Sequence, residues 1–111
     1  MFLNPKLLYE SGADYIKYQD GTMICWGTKA VPTNHNSNGS VSADFPQTFS
    51  SAPTVFLTLK TNNNIAARYV FINVSTSTTT ATTILWRNIA TGSTGQDYSP
   101  DANWLAIGQW K

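Results

Sequence analysis

The sequence predicts an all-β protein, a six- to seven-stranded antiparallel β sandwich, and three observations predict it. Asp20-Gly21 separates two β-prone runs, Tyr15 to Gln19 and Thr22 to Gly27, which is among the strongest short-range hairpin signals. Further runs alternate apolar and polar residues at period two, each bounded by Gly, Pro, Asn or Ser. No segment carries a convincing helical period. At 111 residues the chain has the size of one domain and can bury a single core without staples.

A two-residue Asp-Gly loop of type I′ fixes the expected hairpin register by counting outward from the turn. It places Tyr18 opposite Met23 and Ile16 opposite Cys25 on one face, and Lys17 opposite Ile24 and Tyr15 opposite Trp26 on the other. Both faces are substantially apolar, so a covering partner is expected on the second. Thr33 to Ser40 reads as a polar surface loop containing His35. Val41 to Phe45 reads as a short strand ended by Pro46, which has no N–H for a ladder.

Thr54 to Thr61 is the clearest strand, with Val55, Leu57 and Leu59 on one face and Thr58 and Lys60 on the other. After Asn62-Asn63-Asn64, a strand is expected over Arg68 to Ser75, with Val70, Ile72 and Val74 on one face and Tyr69, Phe71 and Asn73 on the other. Ser75 to Thr83 is nearly all Ser and Thr and suits either a hairpin or a loop. Thr82 to Arg87 resumes alternation, with Ile84 and Trp86 opposed to Leu85. Asn88 to Asn103 reads as a second long loop, and Trp104 to Trp110 as the last strand.

Composition narrows the function. Charged residues make up 12% of the chain and the formal net charge is +1, which leaves no electrostatic footprint for nucleic acid or an anionic membrane. No apolar run reaches the length of a membrane span, and the start lacks a secretory pattern, so synthesis in a cytoplasm without membrane insertion is expected. His35 is the sole histidine and Cys25 the sole cysteine. A metal site, a cofactor and a Ser-His-Asp triad are therefore not expected, and Cys25 inside a strand reads as a small buried apolar side chain.

Asp97 and Asp101 are the one carboxylate pair that glycoside hydrolysis could use, though near Pro100 they read first as turn and capping acids. Aromatics at 13% beside abundant Ser, Thr and Asn suit sugar recognition, because a pyranose presents an apolar C–H face and a rim of hydroxyls. Candidate carbohydrate-binding residues are Asn62, Asn63, Asn64 and Arg68 on one loop and Asp97, Tyr98 and Asp101 on another. Tyr15, Trp26, Tyr69 and Phe71 are candidates for an oligomer interface. Residues 1–11 are expected to connect to a preceding segment, and 12–111 to form the sandwich.

The segments Tyr15 to Gly27, Phe45-Pro46-Gln47-Thr48-Phe49 with Ala52-Pro53-Thr54-Val55, and Trp104-Leu105-Ala106-Ile107-Gly108-Gln109-Trp110-Lys111 together resemble the C-terminal tip domain of bacteriophage and prophage tail fibres. The same pattern is similar to the H-type lectins. The resemblance implies an H-type-lectin-like sandwich, assembled as a homotrimer below an upstream fibre shaft, extracellular on the virion when it works. It implies a non-enzymatic receptor-binding role toward a bacterial surface glycan, lipopolysaccharide or capsule. A structural trimerisation knob and a polysaccharide depolymerase are the alternatives.

Overall fold

The computed structural model describes residues 7–33, 36–60, 70–89 and 100–111. They contain strands β1 (Leu8–Gly12), β2 (Tyr15–Tyr18), β3 (Thr22–Ala30), β4 (Ser37–Asp44), β5 (Thr54–Lys60), β6 (Val70–Ser77), β7 (Ala81–Asn88) and β8 (Asp101–Gln109). A five-stranded antiparallel sheet runs β1-β2-β3-β8-β5, and a three-stranded one runs β4-β7-β6. The chain is thus the antiparallel two-sheet β protein that the alternation predicts, with eight strands among the described residues.

The core forms where the inward residues of both sheets meet. Met23, Cys25, Ala102, Trp104 and Ala106 come from the larger sheet, Ala43, Ile84 and Trp86 from the smaller, and Val31, Phe45 and Phe49 from the connections. Phe49, Met23 and Ile84 are among the largest fully buried side chains, and each burial is worth about 1.5–3 kcal/mol. Phe45 meets Phe49 edge-on at 5.2 Å and Trp104 at 5.5 Å, so the turn after β4 is pinned by aromatic contacts.

The hairpin differs from expectation by one residue. Tyr15 pairs with Cys25, Ile16 with Ile24 and Lys17 with Met23, so the loop holds Gln19, Asp20 and Gly21. A type I′ turn needs φ > 0 at two positions, Asp20 among them; the three-residue loop needs it only once. Gly21, at φ 98°, takes that position, its N–H donates to the Tyr18 carbonyl, and the Thr22 N–H donates to Asp20 Oδ1 at 2.9 Å. The slip moves Tyr15 and Lys17 to the side of Met23 and Cys25, and Ile16 to the side of Ile24 and Trp26. Tyr15 and Trp26 consequently lie on opposite faces.

On its new face Tyr15 packs against the core, and its hydroxyl donates to Glu10 at 3.0 Å. That bond to a carboxylate, with desolvation behind it, raises the phenol above its ordinary pKa. Lys17 pairs with Glu10 at 3.4 Å and lies over the Trp110 ring, 5.3 Å from its centroid. Trp110 in turn stacks on Tyr9 and donates its indole N–H to the Tyr18 carbonyl at 2.9 Å. These contacts fasten β1, inside the segment read as connecting, to the end of β8.

Parts of two stretches expected as loop are strand. Ser37 to Ser40 belong to β4 and pair with β7, because their amides complete a ladder that turn-prone composition alone does not reveal. Asp101 to Asn103 belong to β8, between β3 and β5. The Ser and Thr run resolves into the β6–β7 hairpin. Its turn is closed by Thr78, whose Oγ1 accepts from the Thr80 and Ala81 amides at 3.2 Å each.

Cys25 is fully buried, and burial pushes its thiol up to about 11 against opposing contributions from the Gln47 backbone and Lys17. At pH 8 about one molecule in a thousand then carries the thiolate that reacts. A disulfide exchange reagent is expected to leave Cys25 untouched in the native protein over hours and to titrate one thiol at once in guanidinium; rapid native reaction would contradict this packing.

Candidate binding surface

Because side chains alternate along a strand, each sheet that faces the core also presents an outer face, and the two outer faces differ in chemistry. On the five-stranded sheet, Trp26 pairs with Leu105 and Leu105 with Phe56, one apolar row across β3, β8 and β5. The next row is Ile16, Ile24, Ile107 and Thr54. Phe56 is 55% exposed, and Trp26, Leu105 and Ile107 are each exposed by more than a third. Beyond Trp26 the face turns polar: the Thr28 hydroxyl donates to Asn103 at 2.9 Å, and Asp101 lies opposite Lys60.

The outer face of the three-stranded sheet is mixed. One row sets Asn38, Arg87 and Phe71 side by side across β4, β7 and β6, and the next sets Ser40, Leu85 and Asn73. These residues line a groove of about 520 Å³ floored by Gly39 and Trp86. Phe71 is 53% exposed, so a large aromatic face is open beside a guanidinium and two carboxamides. Among the described residues, no carboxylate lines the groove and Arg87 has no ion-pair partner.

The groove floor depends on a close approach. A Cβ on Gly39 would lie 2.7 Å from Trp86 Cζ2, as one on Gly27 would lie 2.6 Å from Trp104 Cζ2. In each sheet, therefore, an inward indole covers a cross-strand glycine. Among the described residues the Trp86 indole N–H is buried without a hydrogen-bond partner.

The residues singled out in the sequence fall in different places. Asn62, Asn63, Asn64, Arg68, Tyr69, Asp97 and Tyr98 lie outside the described residues. Asp101 stands in a strand of the larger sheet, at the polar end of its outer face. Trp26 belongs to the apolar row, Tyr15 packs on the core side, and Phe71 faces the groove. Sequence reasoning passed over Phe56, Leu85 and Arg87 as binding residues and placed Asn38 in a polar loop rather than in β4. The signal was present for Arg87, which alternates with Ile84 and Trp86 and so had to point away from the core with Leu85.

With this geometry in place, the comparisons with known proteins are specific. Residues 17–109 match the family described as "tail fiber protein gp53-like, C-terminal". A C-terminal fragment of the Pseudomonas aeruginosa R1 pyocin fibre, residues 323–701, superposes with a TM-score of 0.70 at 21% identity over 85% of this chain and 25% of that one. An N-truncated R1-type pyocin tail fibre gives 0.72 at 21% identity over 92% of this chain and 85% of that one. The corresponding R2 fibre fragment from the same organism gives 0.61 at 17% identity, over 93% of this chain and 25% of that one. The chain thus spans about a quarter of the longer fibre fragments that it resembles. No curated protein matches it in sequence.

Proposed function

We propose that this chain, which belongs to the gp53-like tail fibre C-terminal family, is the receptor-binding tip of a phage or pyocin-like fibre and recognises a host surface polysaccharide as a homotrimer, without cleaving it. The observation that carries this reading is the division of labour between the two outer faces. An apolar sheet face suits a further copy of the same chain, since closed symmetric assembly covers a patch that a monomer leaves wet. An exposed aromatic ring flanked by amides, hydroxyl and guanidinium suits a sugar, which needs a C–H platform and hydrogen bonds at its rim.

Lipopolysaccharide and capsule are the glycans such a fibre meets first, and the upstream shaft would present the tip to them. Among the described residues the groove offers no carboxyl pair for glycoside hydrolysis, which supports binding over depolymerisation. The chain, made in the producing cell's cytoplasm, would act outside it on the assembled particle.

Adsorption of the purified chain to host cells tests the reading. Bound protein is expected to fall by at least about tenfold when purified host lipopolysaccharide or capsule competes, with no new reducing ends released from the polysaccharide. Absence of adsorption would favour a structural knob, and release of reducing ends a depolymerase.

A further inference from the structure

We propose that the groove on the three-stranded sheet holds one anionic sugar residue, with Arg87 as the group that reads its charge; this rests on the glycan-binding reading above. Strand spacing gives the dimensions. Neighbouring strands lie about 4.8 Å apart and same-face residues about 7 Å apart along a strand. The row Asn38, Arg87, Phe71 and the row Ser40, Leu85, Asn73 therefore frame a platform of roughly 10 by 7 Å, the footprint of a single hexose.

Arg87 occupies the middle strand, so whatever lies on the platform lies beside the guanidinium. An amide stands at one end of its row and an aromatic ring at the other. The open face of Phe71 takes the C–H face of the ring, and Asn38 and Asn73 reach its hydroxyls. The charge is left for the anion: among the described residues the guanidinium is the groove's only ionised side chain, and its planar fork matches a carboxylate or a phosphate in bidentate fashion. A neutral sugar would leave this cation without a partner; an acidic one completes it. Among the described residues, nothing negative in the groove competes for that place.

Carboxylate and phosphate share this chemistry, and a uronic acid or a phosphorylated sugar could each supply it. The test uses oligosaccharide released from the host surface in three forms: native, enzymatically dephosphorylated, and carboxyl-reduced. Calorimetric titration of the chain is expected to show affinity at least about tenfold weaker for whichever treatment removes the recognised anion. Arg87→Gln is expected to bind the native form as weakly as the parent binds that treated form, and to lose its sensitivity to the treatment.

Phe71→Ala should weaken native and treated forms alike, by a similar factor. Both side chains point outward, so far-UV circular dichroism is expected to be unchanged. Native affinity unaltered in both variants would remove the groove as the site while leaving glycan binding intact. Equal parental affinity for all three forms would overturn the anion. A parent that binds none of them would overturn this proposal together with the reading on which it rests.

Discussion

A Phe56→Glu, Leu105→Glu double variant is expected to run as a folded monomer in analytical ultracentrifugation at micromolar concentration, and the parent chain, on the proposed assembly, as a trimer. The two residues are direct partners in the row that Trp26 completes, and all three lie on the outer face, so a carboxylate there is solvated in the isolated chain. Folding should cost about 1–3 kcal/mol, up to about 1 kcal/mol of β-propensity at each position and up to about 1 more for two carboxylates directly opposite on neighbouring strands.

In an assembly that buries this row, each carboxylate would lose water without gaining a cation, at several kcal/mol apiece, and symmetry repeats the substitution in every subunit. Association should weaken by at least about a thousandfold. The effect is confined to one face. Arg87→Gln, on the other sheet, should leave the sedimentation coefficient unchanged. A parent that is already monomeric, or a double variant that remains a trimer, would remove the five-stranded face as the contact between copies.

The same row shows why some of the fold is legible in the sequence and some is not. Val55, Leu57 and Leu59 alternate with Thr58 and Lys60, and the half-buried, core-side face of β5 follows from that period. So does the inward set Thr82, Ile84 and Trp86 of β7, because burial depends on alternation alone and alternation survives an error in strand ends. Register does not. Asp20-Gly21 closes two different loops that differ by one residue, and the choice rests on Asp20 keeping a negative φ and on Lys17 finding Trp110, a residue 93 positions away in the chain. That contact has no local trace.

The same holds for Ser37 to Ser40, polar and turn-prone, which are strand only because β7 offers them a ladder. The groove is legible only in part: Arg87 and Phe71 each point outward from an alternating strand, whereas Asn38 sits in a stretch whose composition reads as loop. Their juxtaposition is a product of the order β4-β7-β6, which places sequence neighbours β6 and β7 together and brings β4 across from a distance.

Gly39→Ala and Gly27→Ala are each expected to destabilise the chain by about 1–3 kcal/mol, the range for inserting atoms into a packed site, and so to lower Tm by roughly 5–15 °C. Alanine ordinarily improves on glycine in a strand, so propensity alone predicts the opposite sign. Geometry decides otherwise. The new methyl at position 39 would meet Trp86 Cζ2 at 2.7 Å and Cε2 at 2.9 Å, and at position 27 it would meet the same two atoms of Trp104 at 2.6 and 2.8 Å. Neither indole can withdraw freely, since both are in the core cluster.

The contacting atoms identify the rescue. Cζ2 and Cε2 belong to the indole's fused system, which phenylalanine lacks, so Trp86→Phe makes room for the methyl. Among the described residues the Trp86 N–H is already buried without a partner, and removing an unsatisfied donor returns about 1–3 kcal/mol against the apolar area lost. Gly39→Ala with Trp86→Phe is therefore expected to be more stable than the sum of the single effects by about 1 kcal/mol or more, a coupling that neighbours in contact show and distant sites do not. Gly27→Ala with the same Trp86→Phe change touches different cross-strand pairs and should be additive. Additivity at Gly39 would mean that the glycine is not there to let the ring lie flat across the strand.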